Sequence, residues 1–288
     1  MDLDKAISIQ QEVSNLTSDD HAAKPPYLCY LSNLLQHRHE WRYEPSDVEN
    51  GLLFARKSLD LLPDDHIDKA MYLATLGPAL KRQFSLSGEP ADLENALCVQ
   101  QEALSLTPDG HVEMPGRITT LGAFLRKRFE HSGEPTDIMD AVSLAQRAVS
   151  LAPNSPICLI NLGASLYSRF RYSGELADIE NAISSAQRAV QWIINLPSTS
   201  PMAKRVCLRT LGLCLRGRFD LSRELPDFED AVSCIRAARY LEDPEKSMRR
   251  QIECSHELED LENAFSAIQI EGSDDLVDLE IAFSAIQV

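Results

Sequence analysis

The chain has 288 residues, 44% hydrophobic and 25% charged, a balance that excludes disordered, collagen-like and membrane classes and leaves a globular protein able to bury a sizeable core. With 28 Lys and Arg against 44 Asp and Glu, its formal charge is −16, which argues against nucleic-acid partners and acidic lipid surfaces. Only 12 glycines interrupt long Ala, Leu, Glu, Gln and Arg stretches, whose side chains lose little rotamer freedom in a helix, so an all-α fold is expected.

From the N-terminus, MDLDKAISIQQEV carries two aspartates before its first lysine and no apolar core of signal-peptide length, so no export is expected. No run of about 18 apolar residues occurs, so no membrane span is expected. The cysteines Cys29, Cys98, Cys158, Cys207, Cys214, Cys234 and Cys254 are odd in number and form no C-x-x-C pair. They read as buried reduced thiols in a cytoplasmic setting.

An Asp–apolar pair recurs along the chain: Asp2-Leu3, Asp47-Val48, Asp92-Leu93, Asp137-Ile138, Asp178-Ile179 and Asp227-Phe228, at steps of 45, 45, 45, 41 and 49 residues. A second marker keeps the same phase, with Leu76-Gly77, Leu121-Gly122, Leu162-Gly163 and Leu211-Gly212 followed by Phe84, Phe129, Phe170 and Phe219; in the first unit it weakens to Leu31-Ser32 and His39. Each unit reads as two helices. In helix A, Ile118, Leu121, Gly122, Leu125 and Phe129 paint one face at steps of three and four. Ser132-Gly133-Glu134-Pro135 ends it, and helix B follows with Asp137 at its start and a stripe of small residues, Ala141, Ala145 and Ala148. Leu151-Ala152-Pro153 closes the unit. Neither helix can bury its apolar face alone, so successive hairpins are expected to stack into a solenoid.

The Leu-Gly step, the Ala-rich helix B and the closing Pro, carried by Leu121, Gly122, Ala141, Ala145, Ala148 and Pro153, resemble the tetratricopeptide (TPR) signature in a lengthened form. The motif R-F-x-x-S-G-E-x-x-D, from Arg128 to Asp137 and from Arg169 to Asp178, looks like the long repeats of fungal proteins that often precede a caspase-like CHAT protease domain. The resemblance implies an α-solenoid of stacked antiparallel hairpins, a TPR-like right-handed superhelix, over residues 1–243 in about five units. Residues 244–288 read as a degenerate sixth repeat.

Two departures stand inside the array. Gly51 takes the place of the usual Ala in a helix B, and Pro78 follows Gly77 inside a helix A, where a kink is expected because a mid-helix Pro costs roughly 3 kcal/mol otherwise. Near the end, DLENAFSAIQI (Asp260 to Ile270) and DLEIAFSAIQV (Asp278 to Val288) match at nine of eleven positions. Their apolar residues are open to three settings: a cap on the solenoid, a contact with another chain, or a segment cut short of a following domain.

No Walker loop, H-E-x-x-H, G-x-S-x-G or zinc-type cysteine pattern occurs, so no catalytic residue, cofactor or metal is assigned and the chain is read as a non-enzyme. His21, His66 and His111 recur at steps of 45 in S-D-D-H, P-D-D-H and P-D-G-H loops and read as loop-packing residues; a weak metal ladder with Asp19, Asp20, Asp64, Asp65 and Asp109 is the alternative. Arg38, Arg128, Arg169 and Arg218 form a ladder beside the hairpin bend, with Gln83 in the equivalent place, and read as partners for carbonyls or acids at the next helix start. The phased aromatics at 84, 129, 170 and 219 read as core.

The resemblance further implies that helix A lines the concave side. The TPR register places Lys81, Arg82, Arg126, Lys127, Arg209 and Arg216 there, with His37 and Tyr167 in flanking units, so an otherwise acidic protein would carry a basic inner stripe. Such a stripe suits a protein or peptide partner presenting an acidic segment or a C-terminal carboxylate. The favoured function is a non-catalytic interaction scaffold. The alternative is a sensor array serving a CHAT-type effector absent from this sequence, and self-association through the C-terminal segment is one of the three settings open to that segment.

Overall fold

The computed structural model describes residues 3–42, 44–63, 65–194 and 201–241. The expected degenerate repeat at 244–288, Cys254 and the duplicated segments lie outside them. The described residues form eleven helices and no strand: α1 (Leu3–Leu16), α2 (Lys24–Arg42), α3 (Pro45–Asp60), α4 (Lys69–Ser87), α5 (Pro90–Ser105), α6 (Met114–Ser132), α7 (Pro135–Leu151), α8 (Pro156–Ser173), α9 (Leu176–Ile194), α10 (Pro201–Ser222) and α11 (Leu225–Tyr240).

Antiparallel hairpins pair α2 with α3, α4 with α5, α6 with α7, α8 with α9 and α10 with α11, and the second helix of each packs on the first helix of the next. Helix α1 precedes them and packs on α2. The first helices of successive hairpins also touch one another, which places α2, α4, α6, α8 and α10 along one side of the stack. The chain is thus an α-solenoid of stacked, TPR-like hairpins.

One close approach recurs inside the hairpins. Ala96, Ala141, Ala182 and Ala231 are fully buried. A Cβ added to Gly122, Gly163 or Gly212 would stand 3.3, 3.1 or 3.2 Å from the carbonyl oxygen of Ala141, Ala182 or Ala231, and one on Gly77 would lie 3.6 Å from that of Ala96. Glycine in the first helix therefore lets two backbones meet. In the first hairpin the roles change: Ser32 stands at the Leu-Gly position and donates its hydroxyl to the Gly51 carbonyl at 2.7 Å. The glycine has moved across the interface, which explains why Gly51 replaces the expected Ala. Pro78 sits inside one helix that continues from Lys69 to Ser87.

The hairpin bend is equally regular. Gly88, Gly133 and Gly174 have φ of 72°, 75° and 73°, the left-handed region that glycine enters without a Cβ clash, whereas Arg223 occupies the same place at 58°. Their amides donate to the carbonyls of Phe84, Phe129, Phe170 and Phe219. The preceding serine then accepts from the amide two residues on, as Ser132 does from Glu134 at 3.2 Å.

The arginine ladder locks the bend. Arg128 donates Nε to Asp137 Oδ2 at 2.8 Å and Nη2 to Oδ1 at 2.7 Å. The same fork joins Arg38 to Asp47, Arg169 to Asp178 and Arg218 to Asp227. All four aspartates are buried. A third contact reaches back to the helix just before, from Arg38 to Asp4 on α1, Arg128 to Glu94 on α5 and Arg218 to Glu180 on α9. For Arg169 the corresponding position holds Met139, which offers no acceptor. Where Gln83 replaces the arginine, Asp92 takes a hydrogen bond from Ser87 at 3.0 Å instead and is less deeply buried.

Candidate interaction groove

A groove of about 930 Å³ opens where α6, α8 and α10 lie side by side. Helix α6 contributes Arg126, Lys127, Phe129 and Glu130; α8 contributes Ala164, Tyr167, Ser168, Arg171 and Tyr172; α10 contributes Val206, Arg209, Thr210 and Leu213. Leaving tyrosine aside, the ionisable groups among them are four cations, Arg126, Lys127, Arg171 and Arg209, and the single carboxylate of Glu130. Apolar and aromatic surface lies between the charges, from Phe129, Tyr167, Tyr172, Val206 and Leu213.

Of the residues read as concave from the register, Arg126, Lys127, Tyr167 and Arg209 line this groove together, whereas Lys81, Arg82 and Arg216 lie beyond its rim. Arg82 is engaged with the first hairpin: Nη1 donates to Gln36 Oε1 at 2.7 Å and Nη2 to Glu40. Burial opposes ionisation of Glu40, but His37 and Arg82 together hold its carboxyl below the ordinary value. His37 meets Glu40 at 3.4 Å, and that hydrogen bond raises its pKa. Within the groove, Arg126 and Lys127 both point to Glu130, at 2.5 and 3.2 Å. Arg126 Nε is buried and makes no hydrogen bond.

Lys81 is pushed down to about 8, chiefly by burial and then by repulsion from Arg82, Arg126 and Lys127; Glu130 works in the opposite sense. The Tyr167 hydroxyl is pushed up by burial. A Cβ on Gly217 would stand 2.7 Å from Tyr167 Cε2, so the glycine in α10 lets the tyrosine ring lie down against it.

Phe129 fills the expected core role only in part, packing against the core cluster of Leu121, Phe124, Leu125 and Ile138 with one side left open. Phe84, Phe170 and Phe219 are buried, but Phe129 is only half-buried, lines the groove and meets Tyr172 edge to face at 5.7 Å between ring centroids. Arg171 and Tyr172 were not among the residues read from the register. Arg171 stands nine residues after Leu162, the phase that holds Glu40 and Glu130 after Leu31 and Leu121, so carrying the register one helical turn further reaches it.

The phased histidines serve their own loops. Nδ1 of His21, His66 and His111 accepts from the backbone amide of Ala23, Asp68 and Glu113, each at 3.1 Å. Among the described residues no three His, Cys, Asp or Glu side chains gather around one point, and Asp64 of the alternative metal ladder lies outside them. Cys29, Cys158, Cys207 and Cys214 are buried free thiols, but Cys98 is exposed and Cys234 only half-buried, so burial does not extend to every cysteine. No described helix is long and apolar enough to cross a membrane.

No family model matches the chain, and no curated protein matches it. Among solved structures it is similar to BtubC (BKLC) from P. vanneervenii, with a TM-score of 0.52 and 16% identity over 84% of this chain and 91% of that one. Looser likenesses are YrrB, described as a TPR protein with an unusual peptide-binding site, with a TM-score of 0.44 and 16% identity over 81% and 92% of the two chains, and the TPR2AB domain of yeast Sti1 in complex with pHSP90, with a TM-score of 0.32 and 14% identity over 90% of each. At these identities the likeness concerns the fold.

Proposed function

We propose that the chain is a non-catalytic interaction scaffold that holds an acidic protein or peptide segment, or a C-terminal carboxylate, across α6, α8 and α10. The observation that carries this reading is the groove's composition: four cations face one carboxylate on a protein whose net charge is −16. Local charge of opposite sign to the whole molecule selects acidic segments and steers their approach. The apolar surfaces of Phe129, Tyr172, Val206 and Leu213 supply anchor sites, which contribute most of the affinity in such contacts. Lys81 and Arg82 extend the basic stripe toward α4, with Arg82 held in place by Gln36 and Glu40. Arg216 adds positive field beside Tyr167.

The test is fluorescence anisotropy with acidic peptides that also carry Leu or Phe, against acidic peptides without them. Arg171→Glu lowers affinity for the first class at least tenfold, about 1.4 kcal/mol, and steepens no binding to basic peptides. Unchanged affinity after Arg171→Glu combined with Lys127→Glu sinks the reading.

A further inference from the structure

The chain carries its own candidate for this groove. Residues 271–288, EGSDDLVDLEIAFSAIQV, hold five acidic residues and no Lys or Arg, with Leu279, Phe283 and Ile286 following the acidic cluster. That is the composition the groove selects: carboxylates for Arg126, Lys127, Arg171 and Arg209, and apolar side chains for the surface around Tyr172 and Leu213. We propose that residues 271–288 occupy the α6–α8–α10 groove of the same chain, so that an external partner must displace them. The proposal rests on the groove being a binding site for acidic segments.

Reach permits it. Helix α11 ends at Tyr240, and the thirty residues between it and Glu271 span up to about 100 Å when extended. Helix α11 packs on α10, and α10 on α8. With packed helices about 8–10 Å apart, the groove lies within roughly 40 Å of the tether's origin. A tether of this length supplies an effective concentration of about 1 mM, so a segment with an intrinsic Kd of about 100 µM fills its site in about nine molecules of ten. The same arithmetic weakens an external ligand's apparent affinity about tenfold.

The experiment uses the full chain and a variant with Glu271→Gln, Asp274→Asn, Asp275→Asn, Asp278→Asn and Glu280→Gln together, both titrated with a fluorescein-labelled peptide of residues 271–288. A second labelled peptide of unrelated sequence, matched in Asp, Glu, Leu and Phe content, is titrated alongside, and thermal melts by circular dichroism check that both chains keep the same fold. Self-occupancy predicts that the variant binds both peptides about tenfold more tightly than the parent chain, that Arg171→Glu in the variant background abolishes the gain, and that the parent sediments as a monomer throughout. Equal affinity of parent and variant for both peptides overturns the proposal while leaving the groove a binding site. Binding of the unrelated peptide alone does the same. No binding of either peptide to either chain removes the groove reading itself, and a concentration-dependent dimer that the five substitutions dissolve assigns the segment to a second copy and overturns occupancy within one chain.

Discussion

Replacing Arg128 by Gln imposes on the third hairpin the arrangement that the second hairpin has naturally at Gln83. Asp137, whose side chain is 5% exposed, then loses both arms of its guanidinium fork, and Glu94 loses its link to α6. Removing one partner of a buried ion pair costs about 3–5 kcal/mol. Two features reduce that here: Arg128 is itself 32% exposed, and Asp92 shows that the carboxylate can turn toward solvent and take a serine hydroxyl when the arginine is missing. Ser132 stands where Ser87 does, so the same escape is open to Asp137. The expected loss is therefore about 2 kcal/mol, on the order of 4–8 °C in midpoint temperature for an array of this size. Equilibrium unfolding in urea measures it, and a cycle with Asp137→Asn isolates the pair, with a coupling of at least about 1 kcal/mol expected. A coupling near zero, as typical exposed pairs give, would refute the argument that the fork locks each hairpin bend.

The converse substitution, Gln83→Arg, completes the missing staple, because Asp92 stands nine residues on and Glu49 occupies the place of Glu94 and Glu180; it raises stability by about 1 kcal/mol in the same urea assay, and a loss would show that the second bend is built differently. Arg223→Gly relieves the one left-handed non-glycine backbone among the described residues and gains up to about 1 kcal/mol, offset in part by the lost stacking of the guanidinium over Phe219; a melt that drops would mean the stacking dominates. The Lys81 amine, at about 8, titrates well below an ordinary lysine. An acidic ligand favours its charged form, so binding takes up protons above pH 8 and affinity falls as pH rises from 8 toward 10.5, about tenfold for each pKa unit the ligand restores. Calorimetry in two buffers of different ionisation enthalpy reads the proton uptake, and its persistence in Lys81→Gln would assign it elsewhere.

The fold was legible because its constraints repeat. A position that must be small because Gly122 touches the Ala141 backbone is small again at Gly163 and Gly212, and an Arg–Asp fork nine residues apart leaves the same mark at each bend. Even the exceptions are coupled, as Ser32 with Gly51 and Gln83 with Asp92 show. The groove was legible only in phase. Sequence placed cations on the inner side, but pairing joins residues more than 40 positions apart, so nothing local distinguished Arg82, tied to Gln36 and Glu40, from Arg126 and Lys127, which share Glu130 next door. Phe129 misled only in part, for a related reason: its phase matches three buried phenylalanines, and its half-exposure comes from lying beside the groove against Tyr172.

Hydrogen–deuterium exchange of the full chain, with and without a saturating acidic peptide carrying Leu and Phe, tests the central claim most directly. The account predicts slowed exchange over 126–130, 164–172 and 206–213, with the second helices of the hairpins, α5, α7 and α9, unchanged. Slowing confined to those second helices, or none in α6, α8 and α10 under saturation, would contradict it.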